Sequence, residues 1–309
     1  MDRPSRWRAD ALGVGQIRAF CLVHRRQGYA AAARELGLSV PTVWEQVGAV
    51  ERRYGTELFE RRGRRMEPTP AADLLAAELG PLLAGIDATF ELLRERSGEA
   101  PRALTLVTGV RMMLEELGGP LRRFRERHPE VALRILHGDD REAERRIVEE
   151  TADLGLLLEP GPGRMGPGVA VERAYEIEYL AVLPPGDPLA RRGSIRLSDL
   201  ARRPLIVGHE GTHARQLLEQ ALHKEGLHAR MRVAVETDNS AFIMACVRAG
   251  MGLGIVAGRE RGFLARGLVL RPLRRALGQA RIVFLSKKGR TPTRALRDLV
   301  ECVRSGAGG

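Results

Sequence analysis

Apolar residues recur along the chain with two different periods, and the change of period separates two parts. Up to about residue 97 the apolar positions follow the spacing of helices. From Arg102 onward, short apolar runs typical of strands alternate with helical stretches, an order that indicates parallel βαβ units. The pattern therefore predicts an α/β protein whose N-terminal part is helical.

The N-terminal part carries the pattern of helices joined by a tight turn and followed by a hairpin. Apolar residues at helical spacing predict a helix from Gln16, and an alanine-rich helix follows over residues 29–36. Gly37 suits a left-handed helix terminus, and Ser39 is a favourable N-cap for the next helix. Residues 57–69 are expected to form a basic hairpin. This order predicts a winged helix-turn-helix, which lays one helix in the DNA major groove.

An amphipathic stretch over residues 70–97 follows the hairpin. Its apolar stripe comprises Leu74, Leu75, Leu79, Leu82, Leu83, Ile86, Phe90 and Leu93. This stripe exceeds what one short helix needs for a local contact, so it predicts a linker helix that pairs with another subunit. We therefore expect a homodimer or a homotetramer, with a hinge over residues 97–101.

Beyond the hinge, the alternation predicts two α/β lobes. In the first lobe, strands are predicted over 103–108, 131–136 and 152–158, and helices over 112–127 and 140–150. In the second lobe, strands are predicted over 177–183, 204–208, 230–236 and 253–256, and helices over 214–224 and 240–249. A strand over 281–287 and a helix over 293–304 complete the pattern.

The charge balance favours a polyanionic partner. The net charge is +11 and the isoelectric point is about 10.6. Nearly every basic residue is arginine, a bias that can reflect genome composition, so the total charge is weak support by itself. Its distribution is more informative, because a cluster of arginines falls where the wing is predicted. The cluster comprises Arg61, Arg62, Arg64 and Arg65.

Hydrophobic segments and cysteines indicate the cellular compartment of the protein. No apolar run approaches the length of a membrane helix, and no secretory signal follows the N-terminus, so we expect a cytoplasmic protein that does not bind membranes. Cys21, Cys246 and Cys302 are far apart and lack the spacing of metal ligands. They are expected to be reduced thiols.

The motifs of this chain, in this order, resemble those of the LysR-type transcriptional regulators over nearly the whole length. The N-terminal match includes Phe20, Ala31-Ala-Ala-Arg-Glu-Leu, Leu38, Ser39, Pro41, Gln46, Glu51, Gly55, Leu58, Phe59, Arg61, Thr69 and Ala71. The C-terminal match includes Leu121, Phe124, Pro129, Val131, Asp153, Leu154, Gly250, Gly252 and Gly254.

The resemblance implies three domains. It implies a winged helix-turn-helix DNA-binding domain over 1–69, a linker or dimerisation helix over 70–97, and an effector-binding domain over 98–309. The effector-binding domain would be two-lobed, like a periplasmic binding protein. Lobe one would cover 102–168 and 270–304, and lobe two 169–269. The expected function is sequence-specific binding of double-stranded DNA, modulated by a small molecule held between the lobes.

Candidate DNA contacts lie at the start of the recognition helix and in the wing, where side chains reach base edges and phosphates. They are Ser39, Pro41, Thr42, Trp44, Glu45, Gln46, Arg61, Arg62, Arg64 and Arg65. Gln46 has the chemistry for a bidentate pair with adenine, and Glu45 for accepting from cytosine N4. Trp44 either contacts a thymine methyl group or packs against the scaffold.

The chain departs from the usual LysR-type pattern in the recognition helix. Val40 stands where Gln is usual, and Trp44 and Glu45 stand where Ser and often Arg follow. Ala72 replaces a glycine that is usual at the start of the linker helix. These departures indicate an unusual operator, and the stronger inference from them, loss of DNA binding, is the alternative.

Candidate effector contacts follow from the rule that ligands of open α/β sheets sit at the carboxyl ends of strands. They are Thr108, Arg111, Asp139, His209, Thr212, Arg215 and Asn239. Hydroxyl groups, arginines and helix-start amides suit a small anionic metabolite. As alternatives, Thr212 or Thr108 is an N-cap, and Arg111 pairs with Glu115 along its helix.

Other functions are less consistent with the sequence. His209 and His213 have a spacing usable for metal but no evident third ligand, so neither a metal nor another cofactor is expected. Gly250, Gly252 and Gly254 precede a predicted strand, which is the wrong context for a dinucleotide-binding loop. No nucleophile, base and orienting group appear together, so an enzyme is not expected. A solute-binding protein or an effector-blind regulator remains as the alternative.

Overall fold

A computed structural model describes residues 12–62, 65–96 and 103–306 of the chain. These residues form two compact units. The first contains the chain up to Leu93 together with Lys288–Thr291, and the second contains the rest. Within the described ranges, no helix is long and apolar enough to cross a membrane.

The first unit contains three short helices, a hairpin and one long helix. The helices are α1 (Val14–Arg26), α2 (Tyr29–Leu36), α3 (Val40–Tyr54) and α4 (Pro70–Arg96). The strands β1 (Phe59–Arg62) and β2 (Arg65–Pro68) pair antiparallel between α3 and α4. As predicted, α2 ends at Gly37, which has a left-handed φ of 65° that favours glycine. A buried cluster that includes Phe20, Val47 and Leu58 joins these elements.

The second unit is built on one sheet of nine strands. The strands are β3 (Ala103–Thr108), β4 (Ala132–His137), β5 (Leu154–Leu158), β6 (Val169–Leu183), β7 (Pro204–Gly208), β8 (Arg232–Thr237), β9 (Leu253–Gly258), β10 (Val269–Pro272) and β11 (Gln279–Lys287). The strand order is β4-β3-β5-β11-β6-β9-β7-β8, and β10 pairs with β6. In each lobe one strand is parallel to two neighbours: β3 to β4 and β5, and β7 to β8 and β9.

Helices connect the strands of both lobes. They are α5 (Val110–Glu115), α6 (Gly118–Arg127), α7 (Asp140–Val148), α8 (Leu197–Leu200), α9 (His213–Lys224), α10 (Ser240–Arg248), α11 (Arg274–Leu277) and α12 (Arg294–Gly306). The single helix predicted over 112–127 is wrong, because the structure has two helices there. Both Glu116 and Leu117 donate their backbone N–H groups to the Met112 carbonyl, which ends α5, and Gly118 begins α6.

Two long strands cross between the lobes. β6 begins at Val169, well before the predicted start at residue 177, and its two ends pair with different lobes. Its first half pairs antiparallel with β11, and its second half pairs antiparallel with β9 and β10. The sequence predicts that the chain returns to lobe one near residue 270. In the structure β10 still pairs with Leu180–Leu183 of β6, and the chain returns to lobe one only with β11, which pairs with β5.

Candidate functional site

The recognition helix α3 begins at a side-chain cap. The Ser39 Oγ accepts a hydrogen bond of 3.2 Å from the Thr42 backbone N–H. The hydroxyl groups of Ser39 and Thr42 also lie 2.8 Å apart and hydrogen-bond to each other. Both hydroxyl groups therefore fix the start of the helix, and each already has a protein partner.

Trp44 packs on the scaffold and is also exposed. Its ring stacks on Tyr29 with the centroids 4.1 Å apart and the planes 9° from parallel. Nevertheless 46 % of the residue's surface remains accessible. The indole therefore packs on Tyr29, as the packing alternative expects, and part of the residue remains accessible. A thymine contact stays a prediction.

Gln46 and Glu45 face different surroundings. The side-chain Oε1 of Gln46 is buried and has no hydrogen-bond partner within the described ranges. A bidentate pair with adenine needs both amide atoms at the groove, so this orientation does not support the contact predicted for Gln46. Glu45 and Pro41 are exposed, as the predicted contacts require.

The wing is attached to α3 by a carboxylate. Glu51 Oε1 accepts hydrogen bonds from the backbone N–H groups of Leu58, at 2.9 Å, and Phe59, at 3.4 Å. This contact fixes where β1 starts relative to the recognition helix. It also gives a structural reason for the Glu51 and Leu58-Phe59 motif.

The basic residues of the wing lie on the hairpin or beside it. Arg61 and Arg62 are exposed on β1, and the Arg62 guanidinium lies 2.8 Å from Glu60 Oε1 and 3.7 Å from Glu67 Oε2. Arg65 belongs to β2, but its side chain, like all of Arg64, lies outside the described residues. Arg61 and Arg62 thus carry the positive charge of the described hairpin.

In lobe one, the predicted effector contacts are engaged with protein groups. Thr108 is buried, and its hydroxyl donates to the Leu156 carbonyl at 2.9 Å. Arg111 is only 7 % exposed, and its Nη1 contacts Glu116 Oε1. The predicted pairing of Arg111 with Glu115 is therefore wrong, because α5 ends at Glu115 and the following residue turns inward.

Glu116 is the centre of a buried polar cluster. The Tyr175 hydroxyl donates to Glu116 Oε2, and the Arg259 Nε lies 4.0 Å from Glu116 Oε1. Burial, followed by the nearby carboxylate of Glu116, raises the pKa of the Tyr175 phenol, which therefore stays a hydrogen-bond donor at neutral pH. The cluster joins α5 to the crossing strand β6.

Two further contacts join lobe one to lobe two. Glu115 accepts hydrogen bonds from the backbone N–H groups of Phe263, at 3.0 Å, and Leu264. Arg164 pairs with Asp140 at 3.2 Å and donates to the Gly211 carbonyl. The sequence gives no reason to select Arg164, because it lies in a Gly/Pro-rich segment without a periodic pattern.

In lobe two, the loop before α9 holds two predicted effector contacts, Thr212 and His209. The Thr212 hydroxyl donates to the His209 carbonyl at 2.9 Å and does not cap α9, so the N-cap alternative for this side chain is wrong. His209 itself is exposed. No group of three or more His, Cys, Asp or Glu side chains in the described ranges is placed to hold a metal ion.

Arg215 is buried but incompletely hydrogen-bonded. It is 7 % exposed, and its Nε lies 2.5 Å from Glu219 Oε1. Its Nη1 lies 3.5 Å from Glu236 Oε1 yet has no hydrogen-bond partner in the described part of the chain. A buried guanidinium N–H without an acceptor is unfavourable, so this nitrogen has capacity for one more partner.

The remaining predicted effector residues are helix caps. Asp139 Oδ1 accepts from the Glu142 N–H at 2.8 Å, and Asn239 Oδ1 accepts from the Phe242 N–H at 3.1 Å. Both lie where a strand ends and a helix begins, as predicted. Their side chains serve the backbone in this structure.

A cavity of about 370 Å³ lies where β6, β9 and β11 meet. Its lining combines carboxylates, guanidinium groups and an amide. The lining residues are Glu176, Ile177, Glu178, Gly258, Arg259, Glu260, Arg261 and Gln279. Three carboxylates against two guanidinium groups give this cavity a mixed character that suits an anion poorly.

Two family models match the chain in the order of its two units. The model described as "Bacterial regulatory helix-turn-helix protein, lysR family" matches residues 14–73. The model described as "LysR substrate binding domain" matches residues 98–308. Together they account for the winged helix-turn-helix and for the two-lobed sheet.

Relatives and solved structures agree with these matches. The transcriptional activator protein LysR of Escherichia coli is 31 % identical over 269 residues, which cover 84 % of this chain and 83 % of that protein. The transcriptional regulator CbbR of Xanthobacter flavus is 30 % identical over 246 residues, covering 78 % and 72 %.

Among solved structures, a full-length OxyR variant from Pseudomonas aeruginosa shares the fold. Its TM-score is 0.66 at 16 % identity, and the match covers 95 % of both chains. Full-length CbnR in complex with its target DNA has a TM-score of 0.55 at 19 % identity, covering 96 % of this chain and 100 % of that one. The fold, the family models and the relatives together show that this chain belongs to the LysR family of transcriptional regulators.

Proposed function

We propose that the protein represses or activates transcription by coupling a small ligand between its C-terminal lobes to DNA contacts of its winged helix-turn-helix. The observation that carries the proposal is the exposed face of α3, beside a hairpin whose described arginines are exposed. CbnR, a structure of similar fold, is complexed with its target DNA, which supports this role. Such a function places the protein with the chromosome, in the cytoplasm.

The DNA-binding part of the proposal has a direct test. Duplexes bound by the purified protein are selected from a random pool, and the affinity of a selected duplex is measured across a salt series. We expect sequence-selective binding. The logarithm of the binding constant should fall steeply with the logarithm of the salt concentration, because each phosphate that contacts the protein releases counterions. Failure to enrich any sequence would contradict the proposal.

The ligand is proposed to be a small anion that binds at the start of α9. Arg215 supplies a buried nitrogen, Nη1, that still lacks a hydrogen bond, and α9 has no acidic residue in its first turn. Backbone N–H groups at the start of this helix add a favourable potential for negative charge. Arg111 is not part of this proposal, because its Nη1 already contacts Glu116, whereas Nη1 of Arg215 lacks a hydrogen bond although Glu219 pairs with its Nε.

Ligand binding acts by shifting the population of lobe arrangements. Glu115 and Arg164 each connect residues of lobe one to residues of lobe two. The Gly211 carbonyl that Arg164 contacts lies in the loop before α9. A ligand bound to this loop therefore either replaces the Arg164 contact or strengthens it. An anion that prefers one arrangement of the lobes shifts the protein towards that arrangement by its difference in affinity.

A thermal-shift screen with small mono- and dicarboxylates tests the anion proposal. A ligand that binds only the folded protein raises the melting temperature, and Arg215→Met is expected to abolish that rise. The matched control is Arg192→Met, which removes an exposed arginine of the same unit and should leave the shift intact. Silence of the whole anion set would favour an effector-blind regulator and leave the DNA result untouched.

The protein is further proposed to bind DNA as a homodimer or homotetramer through α4. Four large apolar side chains of this helix are mostly exposed: Leu74, Leu82, Phe90 and Leu93. An apolar stripe on a helix of 27 residues is suited to pairing with a second copy. A two-fold dimer would then contact two half-sites of related sequence.

Sedimentation of a Leu82→Asp, Phe90→Asp double variant tests the α4 interface. Two charges in the stripe are expected to convert the assembly to monomers, because buried carboxylates lack partners there. Thr89→Asp on the same helix is the matched control and should not change the assembly. A double variant that sediments like the wild type would contradict this interface.

A further inference from the structure

We propose that the recognition helix selects thymine through an apolar reading surface made of Leu38, Val40, Pro41 and Trp44. This inference rests on the proposed DNA binding and adds to it the chemistry of the bases selected. In most helix-turn-helix contacts polar side chains pair with base edges. Here the open end of the helix is mostly hydrocarbon.

The four residues of the reading surface share one end and one side of α3. Leu38 and Val40 are each 39 % exposed, Trp44 is 46 % exposed, and Pro41 is also exposed. Val40 and Trp44 lie one helical turn apart, and the buried residues Val43 and Val47 lie on the adjoining side of α3. The surface therefore borders the core, and its exposure leaves it accessible to a bound duplex.

Tyr29 holds the indole of Trp44 in place. Tyr29 is buried at the start of α2, and its ring stacks face to face on Trp44. It also contacts Phe59 edge-on, at a centroid distance of 5.7 Å, and Phe59 contacts Phe20 at 6.0 Å. This aromatic series extends from the core to the reading surface. Because the indole is already ordered, contact with a base costs little conformational entropy.

Most polar side chains near this surface are not available to hydrogen-bond to base edges. Ser39 and Thr42 hydrogen-bond to each other and to the helix start, and the Gln46 carbonyl oxygen faces the interior. Apart from Ser39, whose hydroxyl is already hydrogen-bonded, Glu45 is the exposed polar residue of this turn, and an ionised carboxylate only accepts hydrogen bonds. It therefore suits the cytosine N4 amino group and no acceptor edge.

Thymine is the base that matches an apolar reading surface. Its C5-methyl is the apolar group that base pairs present in the major groove. Burying one methyl group favours binding roughly fourfold, using the usual free energy of hydrocarbon transfer. We therefore expect half-sites in which thymines lie beside a cytosine, with the thymine methyls against Val40 and Trp44.

The test replaces thymine by uracil, which removes only the methyl group and keeps every hydrogen bond. Sites are first selected from a random duplex pool with the full-length wild-type protein. Each thymine of a selected half-site is then changed singly to uracil, and affinity is measured at fixed salt. We expect roughly fourfold weaker binding at one or two positions and no change at thymines outside the half-site.

Two exposed-site variants assign the methyl contacts. Trp44→Ala should abolish the penalty for uracil at its position and leave the other position unchanged, while Val40→Ala should do the converse. Both substitutions lie in α3 at exposed positions, and thermal melting confirms that each variant is folded. Tyr29→Leu is a third variant, which frees the indole and should weaken the uracil penalty without removing it.

The outcomes separate this inference from the proposed function. If sites are enriched but uracil costs nothing at any thymine, DNA binding stands and the apolar reading surface is overturned. If nothing is enriched, both fail. If Trp44→Ala changes the oligomeric state while site selection is unaltered, the surface is a protein contact and the inference is overturned.

Discussion

Arginines of the wing and arginines of the lobes were both expected to bind anions, yet they differ in their exposure to solvent. Arg62, on the hairpin, has a side chain that is 68 % exposed, whereas Arg111 and Arg215 are each 7 % exposed. The wing arginines stand beside solvent on a short hairpin. The lobe arginines lie on helices that pack against a sheet.

The difference shows that burial decides whether a cation is available to a ligand. Removing a guanidinium from water is unfavourable unless a carboxylate accompanies it. Glu116 accompanies Arg111, and Glu219 and Glu236 accompany Arg215. Of these two arginines, Arg215 has a buried nitrogen, Nη1, without a hydrogen bond in the described part of the chain, so it still has capacity for an anion.

The largest expected effect comes from Arg111→Met. Glu116, whose side chain is 2 % exposed, would lose its close ion pair and keep the Tyr175 hydroxyl and, at 4.0 Å, the Arg259 guanidinium. Breaking a buried ion pair by removing one partner costs about 3 to 5 kcal/mol. Differential scanning calorimetry should therefore show a strongly lowered melting temperature for the C-terminal unit.

Two controls show whether burial causes that loss. Arg192→Met breaks an exposed pair with Asp199 and should cost at most about 1 kcal/mol. The double variant Arg111→Met, Glu116→Gln removes the uncompensated charge and should recover much of the stability. If the single Arg111 variant melts like the wild type, the buried pair is not a stabilising element.

The next largest effect concerns the wing. Arg61→Ala and Arg62→Ala should each leave folding unchanged and weaken binding to all DNA sequences alike, since phosphate contacts carry no sequence information. Each lost phosphate contact is expected to reduce the slope of log affinity against log salt by about 0.9. Filter binding of a selected duplex between low and moderate salt measures this slope.

The acidic neighbours of Arg62 provide a matched variant for the wing. Glu60 and Glu67 lie at 2.8 and 3.7 Å from its guanidinium and compete with phosphate for it. Glu60→Gln should therefore strengthen binding, whereas Arg192→Ala in the C-terminal unit should have no effect. An unchanged salt slope in both wing variants would remove the hairpin from the DNA interface.

Local signals in the sequence predicted the helix-turn-helix well, because its turns depend on single residues. Gly37 ends α2 in a left-handed conformation, and Ser39 caps α3, as the sequence predicted. The break between α5 and α6 was missed, although Gly118 and the residues after it carry a signal for it. The burial of Glu116 against Arg111 also contributes to this break, and the sequence does not reveal that contact.

The candidate sites were harder to predict because they depend on contacts between distant segments. Trp44 is placed by Tyr29, and Arg111 is neutralised within a cluster that includes Tyr175 from β6. The early start of β6 has the same origin. The pattern of burial changes along β6 because its two halves belong to different lobes. No single alternation of apolar and polar residues therefore identifies the whole strand in the sequence.

The smallest expected effect concerns His213, a potential cation at the start of α9 whose protonation the folded structure opposes. Burial lowers the pKa of its imidazole. Nearby Glu159 acts in the opposite direction, and Arg164 and Arg281 lower the pKa further. The unfolded chain therefore takes up this proton at a higher pH than the folded protein does.

Because its pKa is lowered on folding, His213 should destabilise the protein as pH falls. The loss begins near the unfolded pKa of about 6.5 and grows until the pH reaches the folded pKa, below which it is constant. Melting temperatures between pH 7.5 and 5 should consequently fall less steeply for His213→Asn than for the wild type. Gln220→Asn, at an exposed and non-titrating position of the same helix, is the control and should follow the wild type. Parallel curves for His213→Asn and the wild type would mean that folding does not lower the pKa of this imidazole, so that α9 begins beside a group that takes up a proton as readily as in the unfolded chain.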